Sequence, residues 1–274
     1  MHYLIAAFLL FSACQQQSKK NNIPDRSISS DEFKIHSPEF DSSFKTIHVF
    51  VALCDNKYQG IVPVPAAIGN GQDPDNNLYW GCGFGVRTYF SKSNQWTLIR
   101  KQKIDSIKME RLIFKHKTKN YYLIADAYNG KYIKQATIDF LQSCAGMMKD
   151  TIRINNKTIG IYGNAKLIAF VGHDGLMDFN LTNTYKNADG KRRDAIILAC
   201  ISKKYFSQHL QPTGARALVW SNGLMSPEAY TLHDAIATYM NDGNAEQVRN
   251  SAAEAYAKFQ HCSKKAALGL LVSE

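Results

Sequence analysis

Residues 166–175 read KLIAFVGHDG and residues 194–202 read DAIILACIS. Each is a short apolar run, rich in β-branched residues, that breaks off into small or polar positions, as a strand buried on both faces does. Thr46–Cys54 (TIHVFVALC), Tyr121–Ala127 (YYLIADA) and Ala215–Ser221 (ARALVWS) repeat the pattern. Helically spaced apolar residues occupy 131–145, 203–210, 229–241 and 244–260. Strands alternating with helices predict an α/β fold: a mostly parallel central sheet with helices on both faces. Ligands gather at the carboxyl ends of such strands. His173 follows the third strand, Cys200 closes the fourth and Asp55 follows the first, so one rim is expected to collect an imidazole, a thiol and a carboxylate. The stretch from Gln59 to Phe90, with IGNGQDPDNN and YWGCGFG, is too rich in Gly, Asn, Asp and Pro for regular structure. It reads as a long ordered loop inserted after the first strand, packed by its own aromatics.

The first residues are of another kind. Tyr3–Phe11 (YLIAAFLLF) is an apolar run of signal-peptide length, and Ser12-Ala13-Cys14 follows as a small-residue site ending in cysteine. This predicts a signal peptide over 1–13 and a lipid on Cys14. The Met1-His2 start lacks the usual Lys or Arg, which leaves an ordinary signal peptide or a misplaced start codon as alternatives. Residues 14–41 are polar and turn-forming and read as a flexible tether, and 42–274 as one domain. An exported protein held in the cell envelope through its lipid, facing the periplasm or the surface, is the expectation, with no spanning helix further on.

The formal net charge is +10, from 33 Lys and Arg against 23 Asp and Glu. These cations are scattered or in short groups without interleaved aromatics, so they read as solvated faces, and no nucleic-acid partner is expected. Five cysteines besides Cys14 leave an odd thiol in a compartment that permits disulfides. No Cys/His spacing suggests a metal. Phosphate-loop and G-x-S-x-G serine-hydrolase patterns are absent, and no cofactor is expected. Oligomeric state is not legible.

A thiol attacks a carbonyl well at neutral pH only with a base beside it, because the thiolate is the nucleophile and the leaving amine needs a proton. Cys200 and His173 supply the two groups. The N–H groups of Cys200 and of the turn after His173, chiefly Gly175, are the candidate donors to the oxyanion.

At these residues the chain resembles the caspase, gingipain and clostripain group, the clan CD cysteine peptidases. Their apolar strand before a His-Gly pair and the next one before a cysteine match LIAFVGHDG and AIILACIS, with His173, Gly175, Ala199, Cys200 and Ser202 on the pattern. The resemblance implies a caspase-like strand order, His173 as general base and acid, Cys200 as nucleophile, and a peptide or protein substrate. It also implies a cleft-shaping loop in GARALVWSNGLMSPEAY, where Ser226 and Glu228 are the candidate substrate contacts, joined by Asp174 and Asp55 on the rim. This chain departs from the pattern in Asp174, which separates His173 from Gly175, and in Leu198, which stands where several relatives carry the acid that reads Arg or Lys. The competing reading is a catalytically inactive α/β module that binds a peptide, glycan or envelope protein through the long aromatic loop. A small-molecule hydrolase or transferase on an unrelated doubly wound sheet is a third.

Overall fold

The computed structural model describes residues 39–274. The expected signal peptide, Cys14 and all but the end of the expected tether lie outside the described residues. The elements in chain order are β1 (Lys45–Ala52), α1 (Val86–Lys92), β2 (Trp96–Lys103), β3 (Lys108–His116), β4 (Tyr121–Tyr128), α2 (Ile133–Cys144), β5 (Lys149–Ile154) and β6 (Lys157–Tyr162). They continue as β7 (Leu167–Val171), β8 (Asp194–Leu198), α3 (Ser202–Leu210), β9 (Arg216–Ser221), α4 (Ala229–Tyr239), α5 (Ala245–Phe259), α6 (Lys264–Leu270) and β10 (Leu271–Val272).

Eight strands form one sheet in the order β10-β9-β8-β7-β1-β4-β3-β2. The five runs recognised in the sequence, β4, β1, β7, β8 and β9, lie side by side and parallel. Their near-continuous burial is what strands covered on both faces require: every residue of β4 and β7 is buried, and all of β1 but Lys45. Odd-numbered residues of β1 (Ile47, Val49, Val51) join a core with α1, α4, α5 and the loop aromatics Tyr79 and Trp80. Even-numbered Phe50 and Ala52 join a second core with α2, α3 and the β5–β6 hairpin. Helices therefore cover both faces, as the alternation predicts.

The sheet also has antiparallel edges that the sequence pattern does not announce: β2 and β3 extend it beyond β4, and β10 closes the other side on β9. The β5–β6 hairpin stands apart as its own ladder. It is fastened to the main sheet by a buried polar network. Tyr162 donates its N–H to His48 Nδ1 at 2.8 Å, and His48 Nε2 donates to Asp126 Oδ2 at 3.0 Å. Arg111 grips Asp126 with Nε at 2.6 Å and a terminal nitrogen at 2.7 Å, and also donates to the Tyr162 hydroxyl at 2.7 Å. Burial and the Arg111 and Lys108 charges outweigh the pull of Asp126 and hold His48 down at about 4, so the ring is neutral with its proton on Nε2. For Asp126, burial works upward, but the Arg111 and His48 bonds outweigh it and keep the carboxyl ionised well below the usual range.

Residues 53–85 are irregular, whereas the last five residues of the expected Gln59–Phe90 loop begin α1. Asn77 pins it from inside. Fully buried, its Oδ1 accepts the Cys54 and Tyr79 N–H groups at 3.0 and 3.1 Å, while Nδ2 donates to the Cys54 and Asn70 carbonyls at 2.9 and 3.0 Å. Trp80, also fully buried, donates its indole N–H to Glu110 at 2.8 Å. Among the described residues no helix is long and apolar enough to cross a membrane.

Candidate active site

Val171 and Leu198 are register partners on the adjacent parallel strands β7 and β8. Each strand is followed two residues on by its reactive group, His173 after β7 and Cys200 after β8, so both lie beyond the carboxyl ends of neighbouring strands. Gly172, between Val171 and His173, donates its N–H to the Leu198 carbonyl at 3.1 Å and holds the two chain ends together past the last ladder pair. Its φ of 149° and the 2.7 Å that a Cβ would leave to the Ala52 carbonyl oxygen both demand glycine there.

Cys200 sits two residues beyond the end of β8, in the turn that leads into α3, rather than within the strand. The next residue, Ile201, has φ 51° and ψ 29°, left-handed backbone that is a genuine outlier for a β-branched side chain. Its N–H donates to the Gly223 carbonyl at 2.8 Å, which ties the turn to the loop after β9. Cys200 is partly exposed, and its sulfur lies against Met225 of that loop, with the Met225 nitrogen at 3.4 Å and its carbonyl oxygen at 3.5 Å. Burial raises the Cys200 thiol above its ordinary value, the Asp174 charge adds to this, and the Met225 N–H opposes it without prevailing. The resting sulfur is a thiol, and attack needs a base to take its proton.

His173 is 5% exposed. Its Nε2 is 2.8 Å from Asp178 Oδ2, and the same oxygen accepts the Gly60 N–H at 2.8 Å from the long loop. Asp178 feels burial upward, yet the His173 bond, the Gly60 N–H and the His173 charge bring it below the usual carboxylate range. A carboxylate held on Nε2 keeps the proton there and leaves Nδ1 as the ring's basic nitrogen. Asp178 is the member of this arrangement that sequence reasoning missed. Its only sequence signal is an acid five residues after the histidine, in HDGLMD.

The other expected site residues separate into two groups. Ser226 and Glu228 lie partly exposed on the loop after β9, next to the residue that contacts Cys200. Glu228 Oε2 accepts from the Tyr230 hydroxyl at 2.8 Å and from Gln260 Nε2 at 3.2 Å. The Ser226 N–H donates to the Tyr256 hydroxyl at 3.3 Å.

The remaining four are buried in the structure. Ser202, fully buried, donates to the Ile197 carbonyl at 3.0 Å and accepts the Ser221 N–H at 2.9 Å, joining α3 to β8 and β9. Asp55, 1% exposed, accepts the Lys57 and Tyr58 N–H groups and Gln72 Nε2, and so shapes the long loop. Gly175 is buried against Phe179, whose ring carbon a Cβ would meet at 2.6 Å, so the glycine leaves room for that ring. Asp174 is fully buried, accepts the Leu176 N–H at 3.0 Å through Oδ1, and leaves Oδ2 without a hydrogen-bond partner. Burial pushes its carboxyl up to about 7 against the Leu176 N–H and the His173 charge, with Asp178 adding to the rise.

Tyr79 of the long loop closes the inner side of the site. Burial and the neighbouring Cys54 and Cys200 thiols raise its hydroxyl well above its ordinary value. Cys54, Cys82, Cys144, Cys200 and Cys262 are all free of disulfides. Among the described residues no group of three or more His, Cys, Asp or Glu side chains could hold a metal ion.

Fold and rim together define an α/β body that presents a thiol and a carboxylate-held imidazole on the carboxyl ends of two adjacent strands. The chain matches no protein-family model, no curated protein and no solved structure.

Proposed function

We propose that the protein is an extracytoplasmic cysteine hydrolase, a peptidase of caspase-like strand order anchored through a lipid on Cys14. One observation supports the reading: His173 and Cys200 each follow by two residues the register partners that end the adjacent parallel strands β7 and β8, with Asp178 on Nε2 of the imidazole. The parallel order β4-β1-β7-β8-β9, in which the second strand flanks the first and the later ones add on its other side, supports the caspase-like comparison. The anchor is supported by the apolar run at 3–11 and by Ser12-Ala13-Cys14.

In the proposed reaction His173 Nδ1 takes the Cys200 proton as sulfur bonds to the substrate carbonyl carbon, and the carbonyl oxygen carries the charge. Collapse breaks the C–N bond, and the imidazolium returns its proton to the leaving amine. Water, deprotonated by the same imidazole, then cleaves the thioester and restores the thiol. Asp178 holds the ring and offsets its positive charge in both steps.

A peptidyl acyloxymethyl ketone, which alkylates activated thiols, tests the chemistry. Labelling of the folded protein that is lost in both Cys200→Ala and His173→Ala is the expected result. Labelling that persists in Cys200→Ala places the reactive thiol elsewhere and ends the proposal. The second reading, a silent binding module, is favoured by the raised Cys200 thiol and its contact with the Met225 backbone, and unlabelled folded wild type would select it. Incorporation of labelled palmitate, abolished by Cys14→Ala, tests the anchor separately.

A further inference from the structure

Seven large apolar side chains are exposed among the described residues, and four of them, Val62, Phe84, Met177 and Leu224, belong to the three loops that build the candidate site. The other three lie on β2 and the turn after it, at the opposite edge of the sheet. Leu224 is 70% exposed and adjoins Met225, whose backbone touches the Cys200 sulfur. Met177 precedes Asp178, the partner of His173. Val62, 86% exposed, stands two residues beyond Gly60, whose N–H reaches the same Asp178. Phe84 packs its ring on Tyr230 and Phe259 at 5.6 and 5.3 Å, and its carbonyl accepts the Ala229 N–H at the start of α4. Four of the seven exposed large apolar side chains thus lie on the loops that follow β1, β7 and β9, which backbone and side-chain bonds tie to one another at Gly60–Asp178 and Phe84–Ala229.

The acids nearby are already engaged. Asp178 is held by His173 and Gly60, Asp55 by its own loop, Glu228 by Tyr230 and Gln260, and Asp174 is sealed from solvent. A Lys or Arg side chain entering this rim would lose water, a cost that an apolar side chain does not incur. An apolar side chain instead removes its own surface and that of Leu224, Met177 or Val62 from water, at about 25 cal/mol for each Å².

We infer that the rim formed by Val62, Phe84, Met177 and Leu224 is a substrate-binding surface for peptides carrying large apolar side chains beside the scissile bond. This rests on the hydrolase reading for the word substrate; the apolar binding surface itself does not.

Two measurements keep these apart. Fluorescence polarisation with the Cys200→Ala protein, which cannot turn over, compares otherwise identical peptides bearing Leu or Phe, Arg, or Asp at one position. At least 10-fold tighter binding of the Leu or Phe peptides is expected, with the preference reduced to under 3-fold in Val62→Gln/Leu224→Gln, both on exposed loop sites where the fold tolerates change. Equal binding of all peptides, or preference for Arg or Asp, overturns the inference. Hydrolysis of the matching aminocoumarin amides by the wild-type chain should follow the same ranking in kcat/KM. Apolar peptides bound but not cleaved would sink the hydrolase reading and leave the surface standing. A rim made for lipid would show itself differently: adsorption to phosphatidylcholine vesicles, lost in the same double variant and unaccompanied by peptide preference, also overturns the inference.

Discussion

Asp174→Asn isolates the energetic cost of the buried acid beside the site. The amide keeps the acceptor that Oδ1 offers to Leu176 and removes the charge. In wild type the folded carboxyl titrates at about 7, against 3.8 for an unperturbed aspartate, so the folded state holds its proton more tightly than the unfolded chain does. Its contribution to stability is therefore fully present below 3.8 and is lost as pH rises through about 7. A shift of that size corresponds to roughly 4 kcal/mol, an upper bound since relaxation and water entry reduce it. The variant should equal wild type near pH 4 and exceed it by up to about 4 kcal/mol at pH 8, or by ~8–16 °C in Tm for a body of this size. The neutral His48 opposes this trend in both proteins, because the unfolded chain takes up its proton first as pH falls from 6.5 towards 4. The difference between the two proteins cancels that term. Urea unfolding followed by circular dichroism at half-unit intervals from pH 4 to pH 8.5 measures it. An advantage that does not change with pH, or a variant weaker than wild type at pH 8, would refute the reasoning.

Asp126→Asn leaves the Arg111 guanidinium buried without its counterion and should cost about 3–5 kcal/mol in urea unfolding; a loss below about 1 kcal/mol would show that the network is dispensable. Asn77→Ala removes four hydrogen bonds to loop backbone and should cost about 3 kcal/mol, with limited proteolysis appearing first inside residues 59–85. Ile201→Gly relieves a left-handed β-branched residue, offset by glycine's backbone entropy, for a net gain of roughly 1 kcal/mol. Slower labelling of Cys200 in this more stable variant is the expected companion, and unchanged labelling would detach the strained turn from the thiol's placement.

What the sequence reveals depends on whether burial and polarity agree. The parallel strands are legible because both faces are buried, so nearly every position is apolar or small, as in LIAFV and, Asp126 apart, YYLIADAY. The β2 strand is invisible by the same rule: WTLIRKQK is an edge strand with its first residue buried and most others exposed, and its pattern is that of any solvated segment. Lys108, Glu110 and Arg111 mask β3 because charged residues read as surface, whereas here they are buried and spent on Tyr162, Trp80 and Asp126. The rim positions of His173 and Cys200 followed from strand order alone. Asp178 did not, because its bond to His173 depends on a single turn of 3-10 helix folding the chain back, a geometry with no apolar period to betray it.

Strain is a sharper guide to this site than residue type. Five non-glycine residues adopt positive φ among the described residues: Asn155, Tyr162, Ile201, Asp242 and His261. Asn155 and Asp242 are residue types that tolerate this backbone at turns, and His261 closes the turn after α5. Tyr162 ends β6 where its N–H and hydroxyl serve the buried network. Ile201 alone is β-branched, and it follows the thiol. On the neighbouring strand end, one and three residues beyond β7, stand Gly172, whose backbone demands glycine, and Asp174, the carboxylate with an unpartnered oxygen. A scaffold selected only for stability would have replaced the isoleucine and the aspartate, since Ile201→Gly and Asp174→Asn are single substitutions that relieve them. Their concentration within a few residues of Cys200 and His173 matches a chain that tolerates local instability to hold a particular geometry, as functional sites do.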